Sequence, residues 1–474
     1  MATVGRVVGA GVLVVGLLGG AYLTADAYDM VPGGITLDPV PPGPSPFPAI
    51  PGVARAAAAD PAPALGDPDP AVPMPAAGLL QAQVDALVAD PRLGPATGIV
   101  VADQLTGEVL AANLADQPRT PASTTKLLTA TAALGTLDPT MTLPTTVVEG
   151  AGDDELVLVG GGDMMLAAGA GDPTAVNGRA GLADLATLVA KDLQLRGTTS
   201  VRLRFDDTLF PGSRTAAGWT TAQVDLGYVA PVTSLAVDLA RTRTDVEYAP
   251  RAQDPSLQAA RAFADRLAEA GITVEGAPTR ATAASDARVI GEVRSAPLAE
   301  LVRFMLTTSD NTQAEVVGRL VAIGQGLPAS FSGGTQAVVH AVSTLGVDTA
   351  GIHLGDCSGL ASGSAIAPRQ LVAALALVLD GQHQALRDVA VGMPIAGLTG
   401  TLFDRFTGTP AAGLLRAKTG SLPGVTSLAG TLVTADGRRL VFAVMADGTP
   451  AGGQVRPRQA IDAFVSGLAA CGCR

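Results

Sequence analysis

Pro121-Ala-Ser-Thr-Thr-Lys-Leu-Leu-Thr-Ala-Thr-Ala-Ala-Leu134 holds a serine and a lysine three residues apart at the start of an apolar, helix-forming segment that runs to about Gly135. On a helix that spacing sets Ser123 and Lys126 on one face. The serine falls in the first turn, where unpaired N–H groups and the helix dipole favour developing negative charge. The two can act as nucleophile and base. The lysine also stands out by count: of 31 Lys plus Arg, only Lys126, Lys191 and Lys418 are lysines. A lysine can give up its proton when burial or a neighbouring cation lowers its pKa, which an arginine cannot do. Genomic base composition can produce the same arginine bias, so the count is support rather than proof.

Working outward, the pattern predicts a short helix over 79–87 and two strands, 97–103 and 106–113, joined by a turn at Gly107. Leu127, Leu128 and Ala132 of the serine-bearing helix are available for burial. Beyond it, residues 298–306 have a helical apolar period that runs into Thr307-Thr-Ser-Asp-Asn311 before a helix resumes over 314–323, so Ser309 and Asn311 sit at a break between helices. Helices are expected near 335–345 and 368–379. Residues 414–420 read as a strand ending in Lys418-Thr-Gly420. Strands 427–434 and 439–446, joined across Asp436-Gly437, and a helix over 458–468 follow. Between 141 and 290 the chain shows Gly160-Gly-Gly-Asp163, a helix over 182–195, an alternating strand over 201–205, and a helix that starts at Asp254-Pro255 and stops at Gly271. This segment is expected to form one or two inserted domains.

A chain of 474 residues with 47% hydrophobic and 16% charged residues is globular and long enough for several domains. A net charge of -12 without any basic run excludes a nucleic-acid partner. The apolar run from Val7 to Leu23, followed by Ala25-Asp-Ala27, marks residues 1–27 as a cleaved signal peptide or a retained membrane anchor, which makes the rest extracytoplasmic. Residues 28–77, with Pro39-Val-Pro-Pro-Gly-Pro-Ser-Pro-Phe-Pro48, form a proline-rich linker. Cys357, Cys471 and Cys473 give no disulfide framework and no metal spacing, and no cofactor is implied. Asp163, Asp206 and Asp207 read as turn or capping residues, and His340, His353 and His383 as ordinary surface or core histidines.

Three motifs thus occur in order: Ser123-Thr-Thr-Lys126, Ser309-Asp-Asn311 and Lys418-Thr-Gly420. Each alone is usually a helix face, a turn or a strand end. Together, on a helix start, an interhelical break and a strand, they form the set found in penicillin-binding proteins and serine β-lactamases, and they hold two of the three lysines.

From about residue 80 to 465 the sequence resembles the low-molecular-weight class C penicillin-binding proteins, D-alanyl-D-alanine carboxypeptidases that are also endopeptidases. Phe205-Asp-Asp-Thr-Leu-Phe210, Gly218-Trp219, Tyr228-Val-Ala-Pro-Val-Thr-Ser-Leu235, Asp356-Cys-Ser-Gly-Leu360, Pro394-Ile-Ala-Gly-Leu-Thr-Gly-Thr-Leu402 and the long insertion between the first two motifs add to the likeness. Cys357 departs from it, standing where the family commonly has glycine. The resemblance implies an α+β (α/β) fold of the β-lactamase/transpeptidase type: an antiparallel sheet flanked by helices, a helical subdomain and a large inserted domain or two. Residues 78–140 and 291–470 would form the catalytic domain and 141–290 the insertion.

The resemblance also implies roles. Ser123 would attack the carbonyl between two D-alanines of a peptidoglycan stem peptide, with Lys126 accepting its proton and Lys418 the source of the positive charge that keeps Lys126 neutral. Ser309 would relay the proton to the leaving amine, and Asn311 would bind a substrate amide and hold Lys126. Lys418 and Thr419 would bind the terminal carboxylate. The N–H groups of Ser123 and Ser421 would hold the oxyanion, and Gly420 would let the substrate backbone approach. The Ser123 hydroxyl should then meet both ammonium groups in one cleft. β-Lactams would acylate the serine. The rivals are a serine β-lactamase, against which no Glu-x-x-Leu-Asn pattern appears between the first two motifs, and a non-catalytic envelope module.

Overall fold

The computed structural model describes Tyr22 and residues 69–472, apart from 153 and 247. The expectations for the segment 1–27 and for most of the linker 28–77 fall outside the described residues. No helix among the described residues is long and apolar enough to cross a membrane.

After the helix Ala77–Val88 come β1 (Thr97–Asp103) and β2 (Val109–Asn113). The helix Thr125–Thr136 follows, and every residue from Thr125 to Leu134 is buried. A helix apolar or threonine-bearing all round belongs in a core rather than on a surface. The threonines are tied in where a partner exists: Thr129 Oγ1 donates to the Cys357 carbonyl at 2.7 Å.

The central segment builds a second sheet from β3 (Pro144–Glu149), β4 (Glu155–Gly160), β6 (Ser200–Asp206), β8 (Thr273–Val274), β9 (Thr279–Arg280) and β10 (Val289–Arg294). Its order is β10-β3-β4-β6-β8, with β9 also paired to β6. The short strands β5 (Asp163–Leu166) and β7 (Leu235–Val237) pair separately. The helices Leu182–Leu195 and Pro255–Glu269 pack on it around Leu158, Leu185, Val189, Phe205 and Phe263. Asp254 caps the second helix by accepting from Leu257 N, ahead of Pro255 at its first position.

The helices Leu298–Thr308, Asn311–Gly324, Phe331–Thr344 and Pro368–Leu379 surround the Ser123 helix. The chain then closes the first sheet with β11 (Arg416–Leu422), β12 (Val425–Val433) and β13 (Arg439–Asp447). The order is β11-β12-β13-β1-β2, antiparallel throughout, with Thr97 opposite Ala446 and β11 at an edge. Alternation sorts its side chains between two cores. Val100, Ala102, Val441, Ala443 and Met445 face the core of the Ser123 helix. Ile99, Val101, Leu440, Phe442 and Val444 face Ala77–Val88 and the last helix, Val455–Ala470. Each fully buried leucine, isoleucine or phenylalanine there contributes roughly 1.5–3 kcal/mol relative to exposure. The turn between β12 and β13 is bolted down by Arg438, whose Nε and Nη2 reach Asp103 at 2.5 and 2.8 Å at the end of β1.

Some boundaries differ from the expectation. The third-motif strand is Arg416–Leu422, because residues 414–415 belong to the preceding turn. Cys471 is disulfide-bonded, although the spacing of the three cysteines gave no reason to expect a bridge, whereas Cys357 is a buried free thiol.

Candidate active site

Ser123 lies in a 3-10 turn, Ala122–Thr124, that continues into the helix Thr125–Thr136. Ala122 enters the turn at φ +49°, a left-handed conformation that costs a residue with a Cβ on the order of 1–2 kcal/mol. Two glycines make room for this turn. A Cβ on Gly359, at φ +79°, would lie 1.9 Å from the Ala122 carbonyl oxygen. A Cβ on Gly420 would lie 2.6 Å from the Pro121 carbonyl oxygen and 2.1 Å from Ser427 Oγ. Gly420 is therefore needed for the approach of β11 to the serine-bearing turn.

Lys126 is fully buried and makes three hydrogen bonds. Its Nζ donates to Ser123 Oγ at 3.0 Å, to Asn311 Oδ1 at 2.7 Å and to the Ser358 carbonyl at 2.8 Å. Asn311 opens its helix after Asp310, whose side chain caps that helix through Gln313 N, and its Nδ2 donates to the Tyr228 carbonyl at 2.9 Å. Ser309 sits between the two helices at φ +61°. The side chain of Lys418, on β11, donates to Ser309 Oγ at 2.9 Å and to the Thr419 carbonyl at 3.0 Å. Thr419 Oγ1 is 2.8 Å from Thr401 Oγ1, and Ser421 Oγ accepts from Arg458 Nη2 at 3.0 Å.

The eight residues singled out in the sequence thus fall on three adjoining elements, with one difference. Ser123 does not bridge the two ammonium groups: Lys126 serves Ser123 and Lys418 serves Ser309. The electrostatic cause also differs from the expectation. Burial is the main influence that lowers the Lys126 pKa, to about 8, against the opposing pull of Asp356, Asp310 and Glu315. Lys418 is pushed well below the usual lysine range by burial and then by the charge of Lys126. A lysine near 8 holds a useful neutral fraction at neutral pH, which suits proton abstraction from a hydroxyl 3 Å away.

Sequence reasoning gave no role to the layer under Lys126. Asp356, fully buried, accepts from Trp219 Nε1 at 2.8 Å, Ser358 Oγ at 2.9 Å, Gly359 N at 2.6 Å and Ala361 N at 2.7 Å. These bonds fold residues 356–361 into a turn that aims the Ser358 carbonyl at Lys126. Glu315 accepts from Cys357 N at 3.1 Å, and burial, then Asp356, push its carboxyl up to about 8 despite Arg319 3.8 Å away. Cys357 fits because its neighbour lacks a side chain: a Cβ on Gly318 would lie 2.2 Å from Cys357 Sγ. Gly218-Trp219 and Asp356–Leu360 were the available signal in the sequence. Asp163 accepts from Met165 N, Asp206 from Thr208 N and Ala283 N, and Asp207 pairs with Arg214 and Arg280, all turn or pairing roles.

The model of the D-Ala-D-Ala carboxypeptidase 3 (S13) family matches residues 80–251 and 238–469. The chain belongs to that family. It is a serine-type D-Ala-D-Ala carboxypeptidase of the penicillin-binding class, a hydrolase of the cell envelope. It is 38% identical over 408 residues to a carboxypeptidase of Mycobacterium tuberculosis, covering 84% of this chain and 85% of the relative. It is 37% identical over 440 residues to the carboxypeptidase DacB of Mycolicibacterium smegmatis, covering 92% and 90%. Among solved structures it resembles penicillin-binding protein 4 of Haemophilus influenzae, with a TM-score of 0.69 and 21% identity over 81% of this chain and 98% of that one. The latter likeness speaks for the β-lactamase/transpeptidase type of fold.

Proposed function

We propose that Ser123 carries the acyl group when this enzyme cleaves the bond between the two terminal D-alanines of peptidoglycan stem peptides, and peptide cross-links of the same chemistry. One observation carries the assignment: the Lys126 ammonium lies 3.0 Å from Ser123 Oγ and is held there by Asn311 and the Ser358 carbonyl. In this reading neutral Lys126 takes the Ser123 proton as Oγ attacks the carbonyl carbon. The N–H groups of Ser123 and Ser421 receive the oxyanion, a role for which the edge position of β11 suits Ser421. Ser309, bonded to Lys418, gives its hydroxyl proton to the leaving D-alanine nitrogen and is resupplied with the proton that Lys126 took up, so both return to their starting state, and Asn311 binds a substrate amide. Lys418 and Thr419 take the terminal carboxylate, and water releases the acyl group. β-Lactams acylate the same serine.

The same proposal covers the organisation of the chain. Residues 78–140 and 291–470 form the catalytic domain, and 141–290 an insertion whose separate core around Phe205 and Phe263 supports the division. Residues 1–27 direct the protein out of the cytoplasm or anchor it, and 28–77 space it from the membrane.

Incubation with a penicillin, followed by intact and peptide mass measurement, tests the nucleophile. A long-lived adduct on Ser123 that is absent in Ser123→Ala is expected. Fast turnover of the drug would point to a β-lactamase, and no adduct with no hydrolysis of a D-Ala-D-Ala peptide to a non-catalytic module.

A further inference from the structure

The carboxylate at the end of the substrate needs a countercharge, and Lys418 supplies it only in part. Its ammonium is fully buried, is already bonded to Ser309 and the Thr419 carbonyl, and shares its surroundings with Lys126. Two buried ammonium groups in one low-dielectric site disfavour double protonation. A second group that keeps its charge at every working pH would complete the substrate-binding row.

β11 presents one. Alternation along the strand sends Thr419 and Ser421 to the same face, opposite to Lys418 and Gly420. Thr419 Oγ1 is met there by Thr401, and Ser421 Oγ by the guanidinium of Arg458, from the first turns of the helix Val455–Ala470. That helix is fixed against β11 by Gln454, whose Nε2 donates to the Leu422 carbonyl at 2.6 Å, so Arg458 is held beside the strand. Arg458 is half-buried and forms no ion pair among the described residues, since the nearby Asp462 is taken by Arg405. An arginine does not surrender its proton at any working pH, and its planar fork can serve a serine hydroxyl and a carboxylate together.

We propose that Arg458 is a specificity-determining residue that supplies the lasting positive charge for the substrate's terminal carboxylate, acting with Ser421 and Thr419 at the outer face of β11. The inference rests on the D-Ala-D-Ala reading above and assigns a residue that the three motifs do not contain. It makes the enzyme selective for peptides with a free C-terminal acid over their amides.

The test compares Arg458→Gln and Arg458→Lys with the parent enzyme on a peptide ending in D-Ala-D-Ala acid and on its C-terminal carboxamide. Acylation by a penicillin and thermal melting are followed alongside. Arg458→Gln is expected to lower kcat/KM for the acid roughly 10- to 100-fold, mainly through KM, and to shrink the acid-over-amide preference by a similar factor. Arg458→Lys should retain part of that preference. Equal losses on both peptides, or no loss on either, would overturn the proposal and leave Arg458 as a tie between helix and strand. If Arg458→Gln does not fold, Arg458→Met on the same two peptides decides: an acid-over-amide preference equal to the parent's overturns it. Failure of the parent enzyme to hydrolyse either peptide would instead count against the D-Ala-D-Ala reading.

Discussion

The indole N–H of Trp219 donates to the carboxylate of Asp356 at 2.8 Å, joining a residue of the central segment to the buried turn that positions Lys126. Both ends are committed, since Asp356 also takes the Ser358 hydroxyl and the N–H groups of Gly359 and Ala361. Lys126, the proposed general base, is therefore oriented through a chain of contacts that begins outside the three motifs.

Replacing Trp219 with Phe keeps an aromatic ring but deletes the donor and part of the packing against Phe331, and is expected to cost at least about 1.5–3 kcal/mol of stability, the worth of a hydrogen bond to a charged group. Asp356→Ala strands several donors at once and should cost more, with loss of Ser123 acylation. Urea unfolding followed in parallel with penicillin acylation checks both. Equal stability of Trp219→Phe and the parent would show that the bond contributes nothing.

The acylation rate should rise with pH through about 8 as Lys126 sheds its proton. Asp356 and Glu315 hold that proton on, so Asp356→Asn, where it folds, is expected to move the rise to lower pH. Rates of adduct formation between pH 6 and 9.5 provide the measurement. A midpoint that stays fixed or moves up would refute the assignment of Lys126 as the titrating base.

The stability contributed by Asp163 and Glu315 should fall as pH rises from about 4 to 8. Burial raises the folded pKa of Asp163 from 3.8 to about 7, and burial with Asp356 raises that of Glu315 from 4.5 to about 8. A raised folded pKa means that the folded state binds more protons than the unfolded one across the interval, so stability is fully present below the lower values and is lost as each carboxyl ionises. Asp163→Asn and Glu315→Gln, neutral at every pH, are expected to flatten that part of the curve. Chemical denaturation at pH 4, 6 and 8 would expose a parent curve that is already flat.

Gly420→Ala tests the close approach of β11 to the serine turn. With Ser427 Oγ at 2.1 Å and the Pro121 carbonyl at 2.6 Å from the added carbon, either β11 or the turn must shift. A displacement of about 1 Å at a catalytic pair costs on the order of 100-fold in rate. Penicillin acylation within a few-fold of the parent would mean the approach is looser than these distances require.

Much of this architecture was legible in the sequence where a local signal and the tertiary environment agree. The helix Leu182–Leu195 was marked by its amphipathic period and the helix Pro255–Glu269 by Asp254 and Pro255. Strands β3, β4 and β10 went unseen, because β4 is largely buried along its length and shows no alternation, and glycines and prolines break the pattern around it. Within the site, Ser123, Lys126, Ser309, Asn311 and Lys418 were readable from motif chemistry. Asp356, Glu315 and Arg458 were not, since a buried carboxylate or a half-buried arginine looks like any other charged residue until the fold supplies its neighbours. The cause of the Lys126 shift was missed for the same reason: depth of burial has no one-dimensional signature.

The pairing of β1 with β13 has a temporal side. A ribosome releases Thr97 about 350 residues before its partner Ala446, so β1 waits for the whole intervening polypeptide before it gains its neighbour β13. Such distant closure makes folding slow. A chain that ends before Arg439 lacks the strand that joins β11 and its third motif to β1, so neither such a nascent chain nor a copy clipped there could assemble the site.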